Sequence, residues 1–255
     1  MTEREFFDYF VYAWIFIGVV TFISLFFITA PYGRHTRKGW GGEINATAGW
    51  VIMELPSAIL VGLFYFLSVG ERGVTLTPLI FLIMWQAHYI NRSLIFPFRR
   101  RGGQKTMPLL IMFSALFFNL ANGYIQGRGV FSFSEGYGLE WLYDPRFIIG
   151  AALFAAGFAI NQHSDKILFN LRKPGETGYK IPQGGLYRFV SSPNYFGEIL
   201  EWIGWAIATW SLGGLSFAIW TIANLAPRAR DHHRWYREKF AEYPRERKAL
   251  IPFLY

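Results

Sequence analysis

The chain has 255 residues, 53% of them hydrophobic and 20% aromatic, with only 16% charged and a formal net charge of +8. Soluble domains carry about a quarter charged residues, so this is the composition of a membrane protein. With no cysteine in the sequence, disulfides, thiolate metal sites and cysteine nucleophiles are excluded.

Apolar stretches that reach or approach the roughly 20 residues needed to cross a bilayer as a helix fall at about 6–29, 45–68, 75–96, 107–126, 147–163, 195–211 and 213–227. Lipid offers the backbone no hydrogen-bond partner, so helices are the natural way across. The first stretch is longer than a signal-peptide core and follows MTEREFFD, which is acidic as well as basic, so it reads as a span that is retained. Basic residues fall on alternate connections: Arg34, Arg37 and Lys38; then Arg99, Arg100, Arg101 and Lys105; then Lys166, Arg172, Lys173, Lys180 and Arg188; and finally the tail from Arg228. The other segments hold only Arg4, Arg72, Arg128 and Arg146. The positive-inside rule then predicts an all-α integral membrane protein, a seven-transmembrane-helix bundle with the N-terminus out and the C-terminus cytoplasmic. Its basic face can meet anionic lipid head groups or an anionic soluble ligand.

Polar residues inside the spans are the candidate site. Glu54 sits in GWVIMELPSAILVGLFYFL, and the third span, FLIMWQAHYINRSLIF, carries Gln86, His88, Tyr89, Asn91 and Arg92. Gln86, Tyr89 and Arg92 lie within one helical turn and are expected to line a pocket shared with Glu54. Two readings of Glu54 follow: an ion pair with Arg92, or a carboxylic acid kept neutral in a dry cavity. In the second, Glu54 and Tyr89 donate two hydrogen bonds to an oxygen that gains charge during a reaction. The fifth span ends on Asn161 and Asp165, and the sixth begins with Asn194 and Glu198, each pair four residues apart, with Glu201 a turn further on. Ionisable residues inside spans face a cavity or a partner, and the alternative partners are the arginines of the basic loops. Residues 162–194 are expected to form a long, turn-rich loop, and the last two spans to break at Leu212-Gly213-Gly214.

Asn224, Arg228, His232 and Tyr236 recur every four residues, so a helix continuous through Pro227 puts them in one stripe able to hold an anion. A solvated helix end with snorkelling arginines is the other reading of the same spacing. The five histidines show no metal-ligand spacing, and no metal is expected. No G-x-S-x-G elbow, G-x-G-x-x-G turn or Walker sequence follows a predicted strand. Basic residues track the membrane-proximal loops, so nucleic acid is not an expected partner.

Several of these segments together resemble the steroid 5α-reductases. NYFGEILEW, followed by a span and NLAPRARDHHRWYREKFAEYPRERKALIPFLY, is similar to that family's C-terminal signature. GW…ELPS, HYINRS, NGYIQG and INQHSDKILFNLRKPGETGYKIPQGGLYRFVSSPNYFGE have counterparts in the same order. The resemblance implies a seven-helix membrane oxidoreductase that uses NADPH to reduce the C4–C5 double bond of a 3-oxo-Δ4-steroid. It implies that Glu54 and Tyr89 hydrogen-bond the 3-oxo group, and that Asn161, Asp165, Arg172, Tyr179, Asn194, Glu198, Arg228, His232 and Tyr236 contact the cofactor. It divides the chain into a substrate end at 1–106 and a cofactor-binding region at 107–255. The expected partners are membrane lipids and the steroid, the expected state a monomer, and the expected site the bacterial inner membrane or the endoplasmic reticulum. The donor of the proton to the α-carbon is not assigned. Animal members have Gln before the Glu of the ELP motif, where Met53 stands here, and the run Arg99-Arg100-Arg101 does not align residue by residue. Rival readings are the same reduction on an enoyl thioester or a polyprenol-derived lipid, a membrane methyltransferase of the isoprenylcysteine type using S-adenosylmethionine, and a non-catalytic sterol-binding protein. The Glu54–Tyr89 pair, and SSPNYFGE in place of an Arg-His-Pro motif, speak against the methyltransferase; the stripe on the last helix speaks against simple sterol binding.

Overall fold

The computed structural model describes residues 1–29, 35, 41–100, 106–173, 176 and 178–255. The basic residues Arg34, Arg37, Lys38, Arg101 and Lys105 lie outside the described residues.

Several helices start where the sequence supplies a cap. α1 (Glu3–Leu25) opens with a capping box, in which Glu5 N donates to Thr2 Oγ1 at 3.2 Å and Thr2 N to Glu5 Oε2 at 2.8 Å. α2 (Ala46–Arg72) is capped by Asn45 and runs through Pro56, so Glu54 stays on a continuous helix. α3 (Leu76–Ile90) continues as a π-turn, Asn91–Ile95, into the short α4 (Phe96–Arg99). π-turns inside helices frequently mark functional sites, and this one carries Arg92. α5 (Leu109–Phe131), α6 (Pro145–Asn170), α7 (Pro193–Thr209) and α8 (Leu212–Lys239) complete the bundle.

Two expectations about boundaries are corrected. Residues 162–170 are helical rather than the start of a loop, because α6 carries its polar HSDK stretch on past the apolar run. The break between the last two helices falls at Trp210, which is left-handed at φ 44, and Ser211, which caps α8 by accepting from Gly214 N at 2.9 Å. Gly213 and Gly214 lie inside α8. As expected, α8 is unbroken through Pro227.

Four helices, α1, α2, α5 and α6, are long and apolar enough to cross a membrane. α3, its π-turn and α4 run on without a break over 76–99, the length of a span, whereas α7, with 17 residues, falls short of the roughly 20 of a full one. α8 is polar over its second half.

A two-stranded antiparallel sheet is absent from the sequence reading. β1 (Glu43–Asn45) pairs with β2 (Thr106–Pro108), with Ile44 opposite Met107. The pairing ties the start of α2 to the start of α5 and lays Met107 against Gly49, where a Cβ would meet its side chain. The core between the helices is aromatic: Phe81, Trp85, Trp202, Trp205 and Phe217 are buried together.

α6 and α7 approach most closely. A Cβ on Gly150 would meet the backbone of Gly204 and Ala208, and one on Gly157 the backbone of Gly197 and Glu201. Small residues at such crossings let backbones touch. Gly157→Ala is therefore expected to destabilise the protein by about 1–3 kcal/mol through overpacking, read as a lowered melting temperature in detergent. Gly70→Ala, where the added Cβ meets nothing within 4 Å, leaves it unchanged.

The C-terminal tail braces the start of α7. Ser191 N donates to Lys248 O at 2.9 Å and Lys248 N to Phe189 O at 2.8 Å. Ser191 Oγ also bonds His233 Nδ1 and Tyr243 Oη, each at 2.7 Å. Partial burial, then the charges of Arg237 and Lys248, hold the His233 imidazole below its ordinary value. A depressed histidine stabilises the fold above its unfolded value of about 6.5 and loses that contribution as pH falls through the lower folded value. Amide protection factors at 243–248, corrected for the intrinsic pH dependence of exchange, should accordingly fall as pH drops below about 6.5, and His233→Gln should flatten that dependence.

Candidate active site

The first half of the site lies between α2, α3 and α5. Asn119 of α5 donates through Nδ2 to Met53 O at 2.7 Å and to Glu54 Oε2 at 3.3 Å. Arg92 Nε stands 3.8 Å from Glu54 Oε1, so the structure contains the ion-pair contact that the sequence left open. The guanidinium lies over the rings of Trp50 at 4.7 Å and Phe96 at 4.8 Å, which fix its plane. Tyr89 is buried, and its hydroxyl sits beside Ser57 and Asn122 within electrostatic reach of Glu54. Its ring stacks on Trp85 at 4.8 Å. No hydrogen bond joins Glu54 to Tyr89 among the described residues. Gln86 does not line this pocket: it donates to Ala58 O at 2.8 Å and clamps α3 to α2. The Met53 side chain is buried with Met107 and Met112, so the position before Glu54 is apolar.

The second half is a lattice of amides and carboxylates made possible by the glycine contact of α6 with α7. Asn161 Nδ2 donates to Asn194 O at 3.0 Å and to Glu198 Oε2 at 3.4 Å, and Asn194 Nδ2 donates to Asp165 Oδ1 at 3.1 Å. The two pairs, each with four-residue spacing, thus interlock across the helix pair. Gln162 Nε2 links Asn161 Oδ1, at 3.2 Å, to Asn91 Oδ1 of the π-turn, at 3.0 Å. Glu201 is fully buried and pairs with His88 at 2.9 Å, where an arginine of the basic loops was the alternative expected.

The stripe on α8 faces the same region. Arg228 Nε donates to the Tyr195 hydroxyl at 3.0 Å, and the His232 ring lies 5.4 Å from both Tyr195 and His35. Arg228, His232 and Tyr236 are buried, which rules out a solvated helix end; Asn224 turns back to Trp220 O at 2.9 Å. Tyr236 stacks on Tyr243 of the tail at 5.2 Å. Arg172 lies over the Tyr179 ring at 5.6 Å, and Tyr179 packs on Trp235 at 4.7 Å, so these two sit toward the outer end of α8.

The π-turn joins the two halves. Arg92 stands beside Glu54 of α2, and its neighbour Asn91 accepts from Gln162 of α6, which also donates to Asn161 of the lattice. Asn119 and Asn122, polar residues in an otherwise apolar helix, carried the signal by which α5 could have been assigned to the site. The donor set fits a phosphorylated dinucleotide: buried arginine for phosphate, amides and carboxylates for ribose hydroxyls and a carboxamide, and aromatic rings for flat bases.

Fold and site together define a helical membrane protein with a buried polar cluster enclosed among apolar helices. Residues 105–255 match the family model described as 3-oxo-5-alpha-steroid 4-dehydrogenase. The 3-oxo-5-alpha-steroid 4-dehydrogenase 1 of Bos taurus is 46% identical over 260 residues, covering 100% of this chain and 99% of the relative. The human protein of the same name is 46% identical over 239 residues (94% of this chain, 92% of the relative), and the steroid 5-alpha-reductase DET2 of Gossypium hirsutum 42% over 258 residues (100% and 99%). The chain belongs to the steroid 5α-reductase family, whose members are oxidoreductases acting on CH–CH groups.

Proposed function

We propose that the protein reduces the C4–C5 double bond of 3-oxo-Δ4-steroids to 5α-dihydro products with NADPH. The observation that carries this reading is the π-turn. Arg92 stands 3.8 Å from Glu54, beside the proposed ketone pocket, and its neighbour Asn91 accepts from Gln162, which also donates to Asn161 of the amide lattice proposed for the cofactor, so both halves meet at one turn.

Bound NADPH would supply a hydride to the carbon β to the ketone. Asn161, Asp165, Asn194 and Glu198 would hold the nicotinamide end, and Arg228, His232, Tyr236, Arg172 and Tyr179 the phosphates and the far end. Tyr89 and the protonated form of Glu54, whose oxygen lies 3.8 Å from Arg92 and so outside hydrogen-bond distance, donate to the 3-oxo oxygen as it becomes an enolate, the point at which preorganised donors act most strongly. Asn119 and Arg92 orient Glu54; the stack on Trp85 orients Tyr89. The apolar helices around them suit a lipid-soluble steroid, which needs few polar groups beyond those at its carbonyl.

In this reading the seven long helices all cross the membrane in a monomer, N-terminus out and C-terminus cytoplasmic, with the shorter α7 held inside the bundle and lipids around it. The bacterial inner membrane and the endoplasmic reticulum both suit it. Detergent-purified protein given NADPH with testosterone or progesterone should yield the 5α-dihydro steroid. Turnover of an unsaturated thioester with no steroid product would move the reading to the other lipid substrates.

A further inference from the structure

The buried pair of His88 and Glu201 has no part in the chemistry proposed above. His88 Nδ1 and Glu201 Oε1 share a hydrogen bond of 2.9 Å, with the side chains 6% and 0% exposed. Glu201 Oε2 meets no hydrogen-bond partner among the described residues. Stability does not account for such a pair, because well-packed apolar residues commonly do as well or better, while an unsatisfied buried oxygen is costly.

Its position does account for it. His88 precedes Tyr89, and its ring meets the Tyr89 ring edge-on at 5.1 Å and the Trp202 ring at 4.6 Å. Glu201 lies one turn beyond Glu198 on α7, at the point where Gly157 of α6 touches the α7 backbone, four residues before Asn161. Among the described residues this is the one hydrogen bond from α3 to α7. Otherwise the two helices meet through the rings of Phe81, Trp85, Tyr89, Trp202 and Trp205, contacts that bring large apolar area but little fixed register.

We propose that the His88–Glu201 hydrogen bond is a positioning device that locks the helix bearing Tyr89 to the helix bearing Asn194 and Glu198, and so sets the alignment of the ketone with the cofactor. This rests on the reductase reading given above. The pair touches neither reactant; it acts through Tyr89 on one side and the lattice on the other.

Three variants test it, with wild-type NADPH-dependent steroid turnover as the reference. His88→Phe keeps a ring against Tyr89 and Trp202 but removes the bond; Glu201→Leu removes it from the other side; Glu201→Gln keeps an acceptor for Nδ1–H. His88→Phe and Glu201→Leu should each lower kcat about 10²-fold, the scale of a misplacement of about 1 Å, with the steroid KM and the NADPH Kd within about threefold of wild type. The deuterium isotope effect on kcat from 4-deuterated NADPH should be no smaller than in wild type, since the slowed step is hydride transfer. The double variant His88→Phe/Glu201→Leu should be no slower than either single one, and Glu201→Gln should recover kcat to within about fivefold. Glu201→Gln as slow as Glu201→Leu, additive losses, or unchanged kcat in a folded, NADPH-binding His88→Phe would overturn the proposal. If His88→Phe does not fold, the Gln and Leu variants at 201 decide it. A wild-type protein that reduces no steroid fails the parent reading instead, a distinct result.

Discussion

Tyr89→Phe and Glu54→Gln each lower kcat by about 10²–10³-fold at saturating steroid, the usual cost of removing one donor from a developing oxyanion, while the NADPH dissociation constant stays within about threefold. The expectation follows from where the two side chains are anchored. The Tyr89 ring keeps its stack on Trp85 when only the hydroxyl is removed, so the variant isolates a single donor. Gln at 54 can still accept from Asn119, but an amide N–H is a far weaker acid than a carboxylic acid and stabilises an enolate less. Steady-state kinetics with a 3-oxo-Δ4-steroid, beside direct titration of the cofactor, separates the two quantities. A near-normal rate in Tyr89→Phe would remove its carbonyl-activating role. A near-normal rate in Glu54→Gln would leave Glu54 as the partner of Arg92 alone.

Arg228→Ala has the opposite signature. Losing a buried charge-assisted contact costs about 1.5–3 kcal/mol, so NADPH Kd should rise about 10–10²-fold. At saturating cofactor kcat should fall much less, because Arg228, bonded to Tyr195, is assigned to the cofactor phosphates and not to the ketone. Arg146→Ala is the control: that arginine pairs with Asp144 at the opposite end of α6, and its loss should leave NADPH affinity unchanged. Isothermal titration in detergent measures both. An Arg228→Ala protein with wild-type affinity would count against the stripe as a cofactor site.

Much of this architecture was legible because bilayer thickness and helical period are strong constraints. Apolar run length placed α1, α2 and α5 within a few residues at most boundaries, and the four-residue recurrence of Asn224, Arg228, His232 and Tyr236 anticipated a helix unbroken by Pro227. The pairs Asn161–Asp165 and Asn194–Glu198 stood out as polar residues where lipid would not tolerate them. That they interlock with each other, and that Glu201 bonds His88 at a separation of 113 residues, depends on which helices pack together, and spacing within one helix carries no such information. The β1–β2 pair was missed because three-residue strands show no alternation that stands out from a loop. The polar extension of α6 reads as a loop in the sequence because its HSDK stretch ends the apolar run without ending the helix. Spacing makes Arg92 a candidate partner of Glu54; that its neighbour Asn91 reaches Asn161 through Gln162 follows only from the π-turn and the α6–α7 packing.

The most direct measurement on the central claim follows the hydride itself. Purified protein is incubated with NADPH carrying deuterium on the transferred face of C4 and with testosterone, and the product is analysed by mass spectrometry and NMR. The account predicts a 5α-dihydro steroid with one deuterium at C5 in the α configuration, formed by wild type and about 10²-fold more slowly by Tyr89→Phe. A product without label at C5, or label transferred to an unsaturated thioester while the steroid is left untouched, would contradict it.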